Sequence, residues 1–545
     1  MRSVVVTLLV AVVAIVAMAY LLLLLSPVQQ WLCDKGEKAL SEYLNTDVNI
    51  GSVSITPFNQ VELHDVLVYD QQGDSLLTVG KLGAGVSLKD LIADRRIVVT
   101  HGEIIGLKGQ VIRPDKDSPT NMQFIIDAFK PKDDKPPKPF DVQINTVVMR
   151  QSALSYDVLD QPRHVGRFDV NHLSISDLCA DITLPRLKNN DFDIRIKRLS
   201  FDEASGLSLS RLSTDVHVTD KAMDIRGFKM KLPDSDIRLD DIHLEYSSLK
   251  TLGDELKHKP LCISTPGSTI TPADLAAFVP QLKQFNEPLR IVATVAKNGN
   301  RIEAPVLNIN VPKGGLSLAA RGGVTLPNAG GYSSLDCDYI DLDAKASVLS
   351  RLTGLVTSLS PQAKNIITRC GDIALNGELH ATPSVVNFNG KVSTSLGNAD
   401  MNGKLASQQG SSRFTGHVKT DGLQLGTLLD KRDMIDQIAI DATVDATFKG
   451  NDVSGHLEGS IPFVDFKGTR YHDIIANVDK QGNDFDGMVS MNDPNGMLQI
   501  AGKADLRGAD SKCELDITTR GLNLARLGVL DKYQDHKLSV DAKIA

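Results

Sequence analysis

The chain has 545 residues and a mass of 59.0 kDa, too long for one small domain and long enough for a large or repetitive core. Aromatic residues make up 5%, with one Trp against 42 Gly, so the chain is built from small and aliphatic side chains, a composition suited to short strands and many turns. Lys+Arg 59 against Asp+Glu 67 leaves a net charge of −8, no basic excess to displace counterions from a phosphate backbone, and nucleic acid is not an expected partner.

The first predicted element runs from Val4 to Leu25, VVVTLLVAVVAIVAMAYLLLLL, without a charge. As a helix it would extend about 33 Å against a hydrocarbon core of about 30 Å. Residues 1–26 are therefore read as a retained transmembrane anchor, with Val4, Leu8, Val12, Ile15, Leu22 and Leu25 along it. The stretch is longer than a secretory h-region, and it ends in LLLLLSPVQQW without a small-x-small cleavage site. With Arg2 and the amino terminus on one flank and Asp34, Lys35, Glu37 and Lys38 on the other, the expected orientation has the amino end in the cytoplasm. Gln30-Trp31-Leu32 before Cys33 lacks the small residues of a lipoprotein cleavage site. Next, Val28, Trp31, Leu32, Ala39, Leu40, Tyr43 and Leu44 recur at helical spacing and predict a short amphipathic helix.

From Ile50 the hydrophobic period becomes two, and most segments read as strands bounded by Gly, Asn-Gly or Asp-Gly. In VGKLGAGVSL, Gly80, Gly83 and Gly85 have the wrong spacing for a phosphate cradle and read as a turn. KPKDDKPPKPF over 130–140 cannot form a core, and residues 131–139 read as a linker or exposed loop between a unit over 27–130 and a strand array over 140–545. TPADLAAFVPQLKQF predicts a short helix with Thr271 as N-cap, Pro272 at the first position and Asp274 in the first turn. KASVLSRLTGLVTSL predicts another. Strands also run into leucine-spaced segments in GVSLKDLIADR, LEYSSLKTLGDEL, KTDGLQLGTLLD and TTRGLNLARLGVL, each read as the end of a hairpin and the start of a crossover.

The clearest strand is IAIDATVDATFKG, in which Ile438, Ile440, Ala442, Val444, Ala446 and Phe448 share one face and Asp441, Thr443, Asp445 and Thr447 the other. The same alternation recurs in FDIRIKRLSF, LQIAGKADL and CELDITTRG, with Cys513 in phase with Leu515 and Ile517. Asn376-Gly377, Asn389-Gly390 and Asn402-Gly403 recur every 13 residues and predict type I′ hairpin turns, a habit that Asn298-Gly299 and Asn495-Gly496 extend. The chain ends in KLSVDAKIA, still alternating, and its uncapped edge implies either further chain or a pairing partner.

No nucleophile elbow, Walker A loop, zinc-binding His pair or calcium loop occurs, so neither an enzyme, a metal nor a cofactor is expected. The twelve His are dispersed, and His64, His101, His217, His243, His417 and His456 read as surface or satisfied core residues. Asp191 with Asp193, and Asp336 with Asp338, lie on single strand faces and read as solvated surface. The six Cys lie far apart and read as buried thiols. What remains is a long apolar sheet face with few helices to cover it. A second sheet layer, solenoid closure or an open trough accepting acyl chains would each account for it.

The opening from Val61 through Ile92, VELHDVLVYDQQGDSLLTVGKLGAGVSLKDLI, is followed by a strand pair around Ile97 to Val111 and a short helix at Asn121 to Phe129. Behind a single amino-terminal hydrophobic helix, this order resembles the AsmA-like family, most closely its TamB branch. The resemblance covers about the first 160 residues and is one of style thereafter. It implies a mainly β fold, an elongated U-shaped, taco-like groove of repeated antiparallel strands with a few short helices behind the transmembrane helix. It also implies a single-pass inner-membrane protein with its bulk in the periplasm, a phospholipid cargo moving between inner and outer membrane, and contact with an outer-membrane barrel of the TamA type. In that branch a carboxy-terminal domain meets the barrel, and the resemblance does not extend to it. The groove-lining residues expected from alternation are Ile440, Val444, Phe448, Ile500, Leu515 and Ile517. Two rival readings are an assembly factor that offers a sheet edge to barrel strands, and a structural β-solenoid.

Overall fold

A computed structural model of the chain describes residues 18, 21, 25–56, 60–86, 97–128, 140–188, 191–249, 251–252, 255–256, 259–327, 332–355, 361–408, 410–450, 452–505, 512–529 and 536–545. Strands hold 63% of the described residues and belong to one large mixed sheet of 28 strands, with a few short helices. Contacts divide the chain into a unit of residues 1–255 with 265–288 and a unit of residues 256–264 with 289–545. Among the described residues no helix is long and apolar enough to cross a membrane. Val4, Leu8, Val12, Ile15 and Leu22 of the expected anchor lie outside the described residues, as do the linker 131–139 and the GVSLKDLIADR segment from 87 onward.

The first unit begins with helix α1 (Ser26–Leu44), directly after the exposed Leu25. Pro27 stands in its first turn, and Asn45 ends it in the left-handed conformation, donating its backbone N–H to Ser41 O. Leu32, Cys33, Leu40, Tyr43 and Leu44 pack onto strands β1 (Val48–Ile55), β2 (Gln60–Tyr69) and β3 (Ser75–Val86) through Ile50, Val53, Val66, Val68 and Val79. Glu37 Oε1 fixes the helix to β1 by accepting the Ile50 N–H at 2.7 Å. Trp31 lies outside this core and is exposed. Strands β4 (Ile97–Ile105) and β5 (Lys108–Arg113) both pair with β3, and both run parallel to β6 (Phe140–Val158), which follows helix α2 (Gln123–Ala128). They are two parts of one strand broken at Gly106, where φ is +69°. The expected strand pair over 97–111 is therefore not a hairpin, and the expected antiparallel array is mixed at this point.

Strands β7 (His172–Lys188), β8 (Asp191–Glu203), β9 (Ser208–Val218) and β10 (Ala222–Lys231) continue the unit as antiparallel neighbours. The short β11 (Asp236–Arg238) and β12 (Ile242–Glu245) both pair with β10, and β13 (Leu261–Ile270) is divided between the units. The segment expected to form one helix with Thr271 as N-cap is instead two 3-10 turns, Pro272–Leu275 and Pro280–Gln284. Pro280 lacks the N–H that a continuing helix needs and its ring crowds the preceding turn. Thr271 Oγ1 donates to Asp234 O at 2.9 Å and makes no cap bond, while Asp274 accepts from Asp234 N–H and Ser235 Oγ.

The second unit is a run of consecutive antiparallel hairpins. It opens with β14 (Leu289–Asn298), β15 (Arg301–Asn310), β16 (Leu316–Thr325) and β17 (Ser334–Ala344), followed by helices α3 (Ala346–Leu355) and α4 (Pro361–Cys370). Helix α3 starts where the sequence predicted one, its Ala346 N–H capped by Asp372 Oδ1 at 2.9 Å. Then come β18 (Ile373–Ala381), β19 (Val385–Thr394), β20 (Gly397–Gln408) and β21 (Ser411–Leu423), and after the short helix α5 (Leu425–Leu429) the strands β22 (Ile435–Lys449) and β23 (Asp452–Phe466). The unit closes with β24 (Thr469–Gln481), β25 (Asp484–Asp493), β26 (Gly496–Asp505), β27 (Lys512–Leu522) and β28 (Leu538–Ile544).

Two turn expectations fail. Asn376-Gly377, Asn389-Gly390 and Asn402-Gly403 lie inside β18, β19 and β20, and the hairpins reverse elsewhere, for example at Ser395-Leu396 between the paired Thr394 and Gly397. Gly80, Gly83 and Gly85 likewise sit inside β3, where Gly85 faces His101 on the neighbouring strand. The six thiols are free but not deeply buried: five are half-buried and Cys262 is exposed. Burial still pushes the Cys337 and Cys370 thiols above their ordinary range.

Candidate functional site

Directly opposed residues of an antiparallel pair share a face, so the register of β18–β28 tracks each face from strand to strand. One row runs Phe388, Gly403, Gly416, Val444, Leu457, Val478, Gly487, Gly502, Leu515 and Ile544. The next runs Gly377, Gly390, Met401, Val418, Ala442, Gly459, Ala476, Val489, Ile500, Ile517 and Ala542. The expected lining residues thus fall on one face. Val444 and Leu515 share a row, five strand steps or about 24 Å apart, and Ile500 is directly opposite Ile517 in the row beside it. Ile440 lies two residues beyond Ala442 along β22, opposite Thr420, and has no partner on β23 because the register shifts between Ala439 and Asp441. Phe448 lies at the other end of β22, opposite Val453.

Ile440, Val444, Ile500, Leu515 and Ile517 are half-buried. Phe448 is 43% exposed, and Val453 and Leu405 on the same face are each 40% exposed. The residues sealed from solvent on this face of β22 are the small ones, Ala442 and Ala446. Small residues thus form the floor and larger aliphatics stand beside them with part of their surface open.

The glycines explain the close strand approach. Gly377 is opposite Gly390, Gly403 opposite Gly416, and Gly487 opposite Gly502. A Cβ at Gly377 would fall far inside contact range of Asn389 O, and one at Gly390 would do the same to Asn376 O. Gly390 also has φ +158°, at the edge of the region that favours glycine. Glycine pairs of this kind crease a sheet toward the face on which the missing side chains would stand.

The opposite face is ionic. Lys391, Asp400, Lys419 and Asp441 form one cross-strand row, with Lys419 Nζ 2.7 Å and His417 Nε2 2.9 Å from Asp441. Arg413 holds Asp445 bidentately at 2.7 and 2.6 Å, and His456 Nδ1 lies 3.1 Å from Asp479. Lys503 lies 3.2 Å from Asp486, and Arg520 clasps Asp541. The scattered His are thus tied mostly to carboxylates; in the first unit His217 lies 2.6 Å from Asp193 and His243 2.7 Å from Asp224. Asp336 is held by Arg301 at 3.1 Å. Among the described residues no group of three His, Cys, Asp or Glu is placed to hold a metal.

Several of these pairs set a pH dependence. The Arg413 guanidinium holds the Asp445 carboxyl below the usual range, and Arg470 does the same to Asp465 across the β23–β24 hairpin at 2.6 and 2.7 Å. A carboxyl whose pKa is lower folded than unfolded adds stability above the ordinary carboxylate range and loses it as pH falls through the depressed value. Amides of β21–β24 are expected to exchange faster below about pH 4, and Arg470→Met is expected to flatten that response for the β23–β24 amides. An unchanged exchange profile for the variant would remove Asp465–Arg470 as its source.

Sequence alternation puts the six expected residues on one face but leaves out Lys480. Opposite Gly455 on one side and Phe485 on the other, Lys480 stands on the apolar face, although Ile474, Ala476, Val478, Lys480 already has the alternating phase in the sequence. Gly416 was missed because Thr, not Asn, precedes it in the same 13-residue series. No family model, curated protein or solved structure matches the chain.

Proposed function

We propose that this chain is a membrane-anchored, non-enzymatic lipid conduit of the AsmA-like, TamB type, carrying phospholipid across the periplasm between inner and outer membrane. In this reading residues 1–26 anchor the chain in the inner membrane. The sheet of the second unit is folded lengthwise into a U-shaped trough whose dry face carries acyl chains. An outer-membrane barrel of the TamA type is a partner at the far end.

The observation that carries the reading is the apolar face of β18–β28, continuous across eleven strands and backed by an ionic face. Away from the end where Leu522 and Leu527 bury Met491, large aliphatics on it remain half-open, so each buried CH₂ of a bound chain gains about 0.8 kcal/mol from surface that is otherwise wet. The glycine pairs support a sheet creased toward that face. Most of the facing residues are aliphatic, aromatic, small or hydroxyl-bearing, which suits sliding contact with a chain better than fixed recognition.

A photocrosslinking residue at Val444, with Thr443 on the ionic face as control, tests this in cells carrying labelled phospholipid. Capture at Val444 and not at Thr443 is the expected result. Capture of protein alone at Val444 would instead favour strand augmentation of barrel precursors, and capture of nothing a closed structural core.

A further inference from the structure

One cation interrupts the apolar face. The inward positions of β24 are Ile474, Ala476, Val478 and Lys480, and Lys480 occupies the row that runs Val386, Leu405, Phe414, Ala446, Gly455, Lys480, Phe485, Ala504 and Cys513. Among the inward positions of the three rows traced by register across β18–β28 it is the single Lys or Arg, and a carboxylate of the same face, Asp493, is buried at the opposite end of β25, where it accepts the His472 and Asn495 N–H groups. It is half-buried, and its Nζ donates to Val453 O and Gly482 O, each at 2.6 Å, while lying 5.5 Å from the centre of the Phe485 ring. No carboxylate lies within ion-pair distance of it among the described residues. Asp479 and Asp486, its close neighbours in sequence, oppose one another on the ionic face, where His456 and Lys503 meet them. An ammonium has three donors, and the two carbonyls leave its charge unneutralised.

Its position along the strand matters as much as its charge. Lys480 is one residue from the end of β24, beside the Gly482-Asn483 turn, and its two carbonyl partners belong to that turn and to the start of β23. Phe448 and Val453, one pleat nearer the same edge, and Leu405, in the same row as Lys480, are among the most exposed large apolar side chains of the face. That edge therefore offers open apolar surface and an unneutralised cation together, complementary to an amphiphile with an anionic head and an aliphatic tail.

We infer that Lys480 is a head-group site for an anionic amphiphile whose tail lies inward over Val478, Leu457 and Val444. The inference rests on the lipid-conduit reading and adds to it an orientation, with heads along the edge formed by the β22–β23 and β24–β25 turns, and a preference for a phosphate or carboxylate head over a neutral one.

The test compares binding of parinaric acid and of the corresponding neutral alcohol to the full chain, followed by fluorescence at about pH 9, where the free fatty acid is ionised. Wild type is expected to favour the acid. Lys480→Met is expected to weaken the acid about tenfold, the size of one charge-assisted hydrogen bond, and to leave the alcohol unchanged. Lys480→Arg is expected to keep the preference, and Lys404→Met, on the opposite face, to behave as wild type. Retained alcohol binding shows that the variant is folded. An equal acid-to-alcohol ratio in wild type and Lys480→Met would overturn the head-group site while leaving the lipid face intact. Wild type binding neither probe would overturn both. Inorganic phosphate competing as well as a vesicle of anionic phospholipid would identify a plain anion site and remove the role of the tail.

Discussion

Val444→Asp is expected to abolish lipid capture by the second unit while leaving it folded. Val444 is opposite Gly416 on one side and Leu457 on the other, in a row where the nearest side chains are aliphatic or absent. A carboxylate there can stay hydrated while the face is empty, because the position is half-open. A bound acyl chain would strip that water, and desolvating an unpaired carboxylate costs several kcal/mol. The expected loss of affinity for a fluorescent fatty acid is at least about a hundredfold, corresponding to about 3 kcal/mol. Thr443→Asp supplies the same charge one residue away, between His417 and Glu458 on the ionic face, and is expected to change lipid binding less than twofold by the same physical reasoning. Val444→Leu is expected to bind as wild type, since a sliding apolar contact needs surface more than shape. Equal losses in Val444→Asp and Thr443→Asp would mean that the chain does not hold lipid on this face.

How far the sequence discloses this arrangement depends on the range of the interaction concerned. The two faces of β22 are legible in IAIDATVDATFKG because alternation is a local property, and the six expected lining residues all lie on the face assigned to them. Register is not local. That Val444 and Leu515 share a row, or that β4 and β5 run parallel to β6 across a long insertion, depends on pairings that no short window contains. Asn298-Gly299 and Asn495-Gly496 do stand at hairpin reversals, but the three Asn-Gly words of the 13-residue series mislead for a definite reason. A tight turn and a crease between strands both select a residue without a Cβ, and the dipeptide does not say which. The 271–285 segment misleads in a different way. Pro272 starts a helical turn as read, but Pro280 divides the segment into two 3-10 turns. Lys480 was visible in the alternation but had no weight until its row showed every neighbour to be apolar or glycine.

Gly390→Val is expected to be strongly destabilising without altering the polarity of the face. The substitution adds apolar surface, so a purely hydrophobic account predicts neutrality or gain. The backbone forbids it. A Cβ at position 390 would overlap Asn376 O and crowd the Cα of Gly377 on β18, atoms fixed by the ladder and unable to turn aside as a side-chain tip would. The φ of +158° adds strain that a β-branched residue tolerates least. Relief requires β18 and β19 to separate, at an expected cost of about 3 kcal/mol or more. Hydrogen exchange resolves this where a whole-chain melting curve does not, because the two units need not unfold together. Protection is expected to fall about a hundredfold at the β18–β19 amides and to stay unchanged at β1–β3, in the other unit. The double variant Gly377→Val, Gly390→Val is expected to be little worse than either single change, because one separation of the strands relieves both overlaps. Additive losses would mean that each glycine meets its own independent obstacle. In that case the pair would not act as one crease, and the bend of the sheet toward its apolar face would need another cause.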